Sequence, residues 1–400
     1  MSQPQITLIE EPPSESVLFK YLKRPAMGVA ARALKQMHGR FLDEVQLFNA
    51  ECVTDYEGPV LWLPKHETSL DFFLLYHWMD LPSQPDIRIV KRKPRLDSLS
   101  GIGEWVLDHI LLWPFIVEVG RASQGDTKNE RDAERTKIDN QRKLAAIAEK
   151  YHHGVHAIMW PEGTTSTDGT IYPIKAGCYY ASVLRGDSGI ETVAFAPIGL
   201  TVDLLSGRRL SSGKNSHLIF VNFSRPFLYE PVQRRPNESN GEYIRADVEH
   251  HTRRIREAYI DLNVYTAAQL GGEYLVRLAQ EKGKQRLTLD NLCALVSIRA
   301  EAVSKLPNTA VDYALGSKEG LMGRVENMFG FLHRFGYMED GVLNSERVLF
   351  SPDPKKVNFK QQNPLLFCAN RLHDVMDRRF EVAQIMQGTY DLCRSVTFQI

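Results

Sequence analysis

Short apolar runs at intervals, each too brief for a buried helix and each bounded by polar or turn-forming residues, constrain this chain more than any other feature. Val60-Leu61-Trp62-Leu63 is one, and His217-Leu-Ile-Phe-Val-Asn-Phe223 is another. Runs of this length read as strands buried on both faces. They alternate with helical patterns. Val60–Leu63 predicts a strand, Leu70–Met79 a helix, and Asp86–Val90 and Phe115–Val119 strands. Lys128–Lys150 predicts a long charged helix, Val155–Trp160 a strand and Gly177–Leu184 a helix. Thr192–Leu200 and His217–Phe223 complete the series as strands. Such alternation implies an α/β sheet with helices on its faces.

The flanks read differently. Residues 1–16 are polar and contain Pro12-Pro13, as a loose tail does. Over 17–52, Leu34, Met37, Phe41, Val45 and Phe48 recur at three- and four-residue steps, which predicts helix until Gly58-Pro59 breaks the pattern. Pro226, Pro231 and Pro236 mark an exit from the sheet. Ile255, Tyr259, Leu262, Leu270, Tyr274 and Leu278 then follow a helical period, with one further strand expected at Arg347-Val348-Leu349-Phe350. The expected organisation is an N-terminal tail with helices (1–55), an α/β domain (56–262) and a mainly helical C-terminal region (263–400).

Composition narrows the function. Of 400 residues 43% are hydrophobic and 24% charged, enough for a large core. The formal net charge is zero, so no global field favours nucleic acid and any anion recognition is local. Cys52, Cys178, Cys293, Cys368 and Cys393 are odd in number and widely spaced, which points away from a disulfide framework or zinc site and toward a reducing compartment. No basic segment followed by an apolar core opens the chain, so no signal peptide is expected. No apolar stretch approaches the ~20 residues of a membrane span. The nearest, Trp105–Val119, holds Asp108, His109, Pro114 and Glu118; it reads as a buried helix and strand, with an interfacial segment as the alternative.

The chemistry-bearing residues sit where the first run ends. Lys65-His66-Glu67-Thr68-Ser69-Leu70-Asp71 follows the strand and precedes a helix. On one continuous helix, five steps of ~100° would part His66 from Asp71. With Thr68 or Ser69 as N-cap, Asp71 falls in the first turn and His66 stays in the loop at the strand's carboxyl end. Asp71 can then orient the imidazole, leaving its other nitrogen to take a proton from a hydroxyl. On this pair alone the reading stays open: an aspartate in a first turn also serves the helix dipole, and loop histidines are common.

Two further segments fit the same chemistry. Trp160-Pro161-Glu162-Gly163-Thr164-Thr165-Ser166 follows a strand, and glycine there permits close backbone approach to an anion or ester oxygen. Gly120-Arg121 follows another, and arginine suits bidentate phosphate binding.

In these residues the chain resembles the glycerol-3-phosphate and lysophosphatidate acyltransferases. The family's Asn/Ser-His-x-Ser-x-x-Asp block looks like Lys65 to Asp71, its apolar strand ending in Arg like Phe115 to Arg121, its Phe-Pro-Glu-Gly-Thr-Arg-Ser like Trp160 to Ser166, and its Val-Pro-x-x-Ile like Ala196-Pro197-Ile198-Gly199-Leu200. Pro173-Ile174-Lys175-Ala176-Gly177 resembles the Pro-x-Lys-x-Gly that follows the third block. The resemblance covers about residues 56–230. It implies an α/β fold with a mixed sheet flanked by helices and a helical C-terminal region. It implies transfer of a fatty acyl group from acyl-CoA or acyl carrier protein to a glycerol-phosphate or lysophospholipid hydroxyl, with no other cofactor and no metal. His66 would be the general base and Asp71 its orienting acid; Arg121, Glu162, Gly163 and Thr164 would hold the acceptor, Lys175 would add a cation, and Pro197 would shape the acyl pocket. The site would lie peripherally on the cytoplasmic face of a membrane. Lys65, Gly120 and Thr165 depart from the family pattern; Thr165 stands where the third block has arginine, and Lys175 or Lys91-Arg92-Lys93 could compensate. Residues 263–400 resemble the helical extension of the glycerol-3-phosphate branch.

Other features carry less. Gly186-Asp187-Ser188-Gly189 reads as a turn rather than a nucleophile loop. His152, His153 and His156 read as a polar helix end entering a strand, since nothing completes a metal set. The rival readings are a lipid hydrolase using the same residues and a lipid-binding scaffold without turnover.

Overall fold

A computed structural model describes residues 42–67 apart from 55, 57 and 59, strands 87–92 and 116–119, residues 132–144 apart from 133, 137 and 141, residues 156–186, and residues 189–397 apart from 193, 212, 282 and 354–358. These belong to a unit spanning Phe41–Lys93 and Phe115–Ile400.

Up to residue 228 the strands among the described residues are β1 (Leu42–Phe48), β2 (Val60–Pro64), β3 (Ile87–Arg92), β4 (Ile116–Val119), β5 (His156–Met159), β6 (Val183–Gly186), β7 (Gly189–Thr192), β8 (Ala194–Asp203), β9 (His217–Phe223) and β10 (Phe227–Leu228). The main sheet runs β1-β9-β8-β2-β5-β3-β4, with β10 added on β8. From β8 through β2, β5 and β3 to β4 every neighbour is parallel; β8–β9 and β8–β10 are antiparallel. The sheet is therefore mixed, as expected. Trp62 of β2 lies opposite Ala196 on one side and Ile158 on the other. Val60, Leu61, Trp62 and Leu63 are all buried, which is why this strand is a continuous apolar run. Parallel pairing brings the carboxyl ends of β2, β5, β3 and β4 to one edge.

After β5 the α-helices among the described residues are α1 (Gly177–Ser182), α2 (Asn240–Asp261), α3 (Ala267–Gln280), α4 (Leu289–Ser304), α5 (Lys318–Arg334), α6 (Ser345–Leu349), α7 (Phe359–Gln362), α8 (Pro364–Met376) and α9 (Phe380–Thr397). A capping box at Ser239 and Glu242 starts α2. Its Tyr259 hydroxyl donates to the Leu63 carbonyl at 2.9 Å, pinning α2 to the central strand. Beyond it the chain is mainly helical, again as expected.

Three local expectations are corrected. Residues 42–48 form an edge strand parallel to β9, not helix. The three-residue step from Val45 to Phe48 suits a helix, but the side chains alternate as in a strand: Gln46 and Phe48 are buried while Val45 and Leu47 are half-buried. Gln46 is held by Asp312 Oδ1 at 2.6 Å, a partner the local pattern does not reveal. Residues 347–350 fall mostly in α6 rather than a strand, because Asn344 caps it by accepting from the Arg347 amide at 3.0 Å. The helix expected over Gly177–Leu184 ends at Ser182, and Val183–Gly186 turns into a hairpin with β7. The expected helix at Leu70–Met79 and the segment Trp105–Pro114 lie outside the described residues.

Candidate active site

His66 stands two residues past β2, at the carboxyl edge. The Lys65 amide donates to the Ile198 carbonyl at 2.9 Å, so β8 guides the chain up to the histidine. The loop after β5 then takes over. Its first turn is closed by the Gly163 amide donating to the Trp160 carbonyl at 3.0 Å, with Pro161 second and Gly163 fourth at φ 66°. This turn aims Glu162 inward. The Glu162 side chain is fully buried, and it accepts from the His66 amide and the Tyr172 amide, each at 2.9 Å. Burial pushes the Glu162 carboxyl up, while the Lys65 charge and the two amides pull it down. The Ser166 amide donates to the His66 carbonyl at 2.8 Å. Both polar backbone groups of His66 are therefore fixed by a segment about a hundred residues away, |i−j| being 96 for the first.

The imidazole is half-buried. Its Nε2 lies 3.2 Å from the Thr165 hydroxyl, and the Trp160 ring leans over it with centroids 5.7 Å apart. Either tautomer fits that contact. A half-open imidazole with an immobilised backbone and a hydroxyl at Nε2 is suited to exchanging a proton with an alcohol.

Charge surrounds this loop from beneath. Lys65 and Glu67 are both buried, and the Lys65 ammonium pairs with Glu67 Oε1. Arg371 of α8 reaches the same oxygen, and Lys360 of α7 donates to the Glu67 carbonyl. Helix α8 also grips the loop after β5: Asn370 donates to the Asp168 carbonyl at 2.9 Å, and Asp374 accepts from the Ile171 amide.

Thr164 and Lys175, both expected at the acceptor, carry exposed side chains, and the Lys175 amide donates to the Pro161 carbonyl at 2.8 Å. Pro197 is buried on β8 opposite Leu63, and its carbonyl accepts from the Ser224 amide at 3.2 Å. Asp71 and Arg121 lie outside the described residues, as do His152 and His153. His156 is buried on β5, and its Nδ1 accepts from the Val60 amide at 3.2 Å; burial pushes its pKa down. It is a strand-to-strand tie. Sequence reasoning missed Thr165 as a partner of His66, and missed Glu67, Lys360 and Arg371. The one sequence signal was the pair Lys65 and Glu67, two charges set where a buried strand ends.

Among the described residues no group of three or more His, Cys, Asp or Glu could hold a metal ion, and no helix is long and apolar enough to cross a membrane. No protein-family model matches the chain. No curated protein matches it either. Among solved structures, the crystal structure of the 1-acyl-sn-glycerophosphate (LPA) acyltransferase PlsC from Thermotoga maritima is similar over 60% of this chain and 80% of that one, at 15% identity and a TM-score of 0.33. So distant a likeness carries no argument, and the functional reading rests on the site.

Proposed function

We propose that the chain is an O-acyltransferase that moves a fatty acyl group from a thioester, on coenzyme A or acyl carrier protein, to a hydroxyl of a glycerol-phosphate or lysophospholipid. One observation carries the reading: two segments far apart in sequence meet at the sheet's carboxyl edge, leaving a half-open imidazole whose Nε2 already faces a hydroxyl. The acceptor hydroxyl takes the place of the Thr165 hydroxyl at Nε2. His66 removes its proton as the oxygen attacks the thioester carbonyl. The new C–O bond forms, the tetrahedral centre collapses with loss of the C–S bond, and the departing thiolate receives the proton from His66. No acyl-enzyme is needed.

Asp71 orients the imidazole from Nδ1 in this proposal. Glu162 serves the acceptor indirectly, because its oxygens are taken by amides that hold the loop. Thr164 and Lys175, exposed beside it, contact the polar end of the acceptor together with Gly163 and Arg121, and Pro197 shapes the acyl side. A lipid acceptor or product places the work at the cytoplasmic surface of a membrane, where the chain binds peripherally.

The test is incubation of purified protein with labelled acyl-CoA and a panel of glycerol-3-phosphate, lysophosphatidate and other lysolipids. Esterified product from wild type, and a drop of about a thousandfold or more in His66→Ala with an unchanged melting curve, are expected. Undiminished transfer by the variant removes His66 from the role of base. Release of free fatty acid with no ester from any acceptor replaces the transferase by a hydrolase.

A further inference from the structure

The loop that carries His66 is held from two sides. The segment after β5 holds it through Glu162 and Ser166. The other side belongs to the C-terminal region. Arg371 and Lys65 converge on one Glu67 carboxylate oxygen, and Lys360 caps the Glu67 carbonyl; Arg371 and Lys360 lie 304 and 293 residues further along the chain. Lys65, Glu67, Glu162 and Arg371 are 1%, 1%, 0% and 4% exposed. The side chains of two basic and two acidic residues are thus buried together beside the histidine. Each charge is costly in that setting unless its partner stays in place, so the geometry tolerates little drift. The Lys360 ammonium is also seated over the Phe367 ring at 4.6 Å, which fixes it to α8. The helix is in turn locked to the loop after β5. Gly169, at φ 94°, sits so close to α8 that an added Cβ would lie 2.0 Å from the Phe367 carbonyl oxygen. One helix therefore touches both strands of chain that frame the imidazole.

We propose that Arg371, with Lys360 beside it, is a positioning residue for His66: by fixing the side chain and carbonyl of Glu67, the C-terminal region sets where the neighbouring imidazole points. This rests on His66 being the working base, but its first readout does not need turnover. Burial pulls the Arg371 pKa down to about 9, with Asp374 opposing, so its charge is present at neutral pH. Glu67 follows His66 in the chain and the two share a peptide bond, so a shift of the Glu67 Cα is passed to the histidine backbone. Loss of Arg371 removes one of the two cations on that carboxylate oxygen and with it the direct ion pair between the loop and α8.

The experiment compares wild type, Arg371→Met, Arg371→Lys and Lys360→Met as full-length chains. Histidine ring nitrogens are labelled with nitrogen-15, and the His66 signal is assigned by its loss in His66→Gln. In Arg371→Met the His66 ring shifts and titration midpoint change, and Arg371→Lys restores part of the wild-type pattern. In the transfer assay, kcat falls about tenfold to a hundredfold while KM for the acyl donor stays within about twofold, the mark of a displaced base rather than a lost binding contact. A folded Arg371→Met whose His66 signals and titration match wild type overturns the inference, whatever happens to transfer. If wild type transfers no acyl group while Arg371→Met still moves the ring, the positioning role stands and the acyltransferase reading falls. Should Arg371→Met fail to fold, Arg371→Lys and the half-buried Lys360→Met supply the same ring measurement.

Discussion

Two of the molecule's buried ionic clusters differ in what they hold. In the helical region Glu273 of α3 and Arg299 of α4 are both fully buried. Arg299 Nη1 reaches Glu273 Oε2 at 2.7 Å and the Leu270 carbonyl at 2.6 Å; its Nε and Nη2 reach Thr389 and the Met386 carbonyl of α9 at 2.9 and 3.0 Å. That cluster ties helix to helix. The cluster under His66 ties helix to loop, and the loop ends in a half-open imidazole. Burying charge costs about the same in either place. A closed cluster returns only a fixed packing of helices, whereas one at the edge of a sheet also fixes a side chain that meets solvent.

The contrast breaks most sharply at Arg299. Arg299→Met strips Glu273 of its fully buried partner, although Arg277 still reaches that carboxylate from the half-exposed side. A loss of about 3–5 kcal/mol in urea unfolding is expected. The His66 ring signals should stay at their wild-type positions in the fraction that remains folded. An Arg299→Met variant that moves those signals as far as Arg371→Met does would erase the distinction between the clusters.

A smaller effect separates α8 from the loop without touching a charge. Gly169→Ala places a methyl 2.0 Å from the Phe367 oxygen and 2.9 Å from its carbonyl carbon, at a φ of 94° that an L side chain rarely adopts. The backbone must move, at about 2–3 kcal/mol. If the contact between α8 and this loop helps frame the site, transfer falls beyond what the stability loss accounts for at a temperature where the variant is fully folded. Stability lost with kcat intact would confine the framing role to the charged contacts.

Much of the sheet was legible. Strands inside the sheet are buried on both faces, so β2 is written as an unbroken apolar run and β9 carries one in Leu218–Val221, and His217–Phe223 has the expected bounds. The edge strand β1 was not, because it alternates through a buried glutamine whose partner, Asp312, is 266 residues away. The site divides along the same line. His66 and the Trp160–Ser166 loop carry residue types whose chemistry shows at short range, and the fold brings them together. Arg371 and Lys360 sit in a region read only as helical. Nothing in their own spacing marks them, since what matters is a carboxylate and a carbonyl some three hundred residues earlier.

A third buried cluster, built without a guanidinium, sharpens the comparison through pH. Asp247 of α2 is fully buried and accepts from the Tyr179 hydroxyl at 2.8 Å, from the Val232 amide at 2.9 Å and from the Tyr229 hydroxyl. His251, one turn on and also fully buried, packs edge-on against Phe195 and Tyr229 with centroids 4.8 Å apart in each case. Burial first, then the neighbouring Arg254 and His250, push its pKa down from 6.5 to about 3, against the pull of Asp247. The unfolded chain therefore binds a proton near pH 6.5 that the folded chain refuses until about pH 3. Stability from this group is whole above pH 6.5 and drains as the pH falls toward 3, reaching a loss of about 2 kcal/mol at pH 5. His156 loses stability in the same direction, so wild type alone cannot assign the effect. His251→Phe keeps an aromatic ring among aromatic neighbours and removes the titration. Urea unfolding at pH 8 and pH 5 should show the variant losing about 2 kcal/mol less than wild type on acidification. Equal losses in the two proteins would mean that His251 carries its proton in the fold, and that a carboxylate and two phenols suffice to hold a buried imidazolium where the ionic clusters need guanidinium.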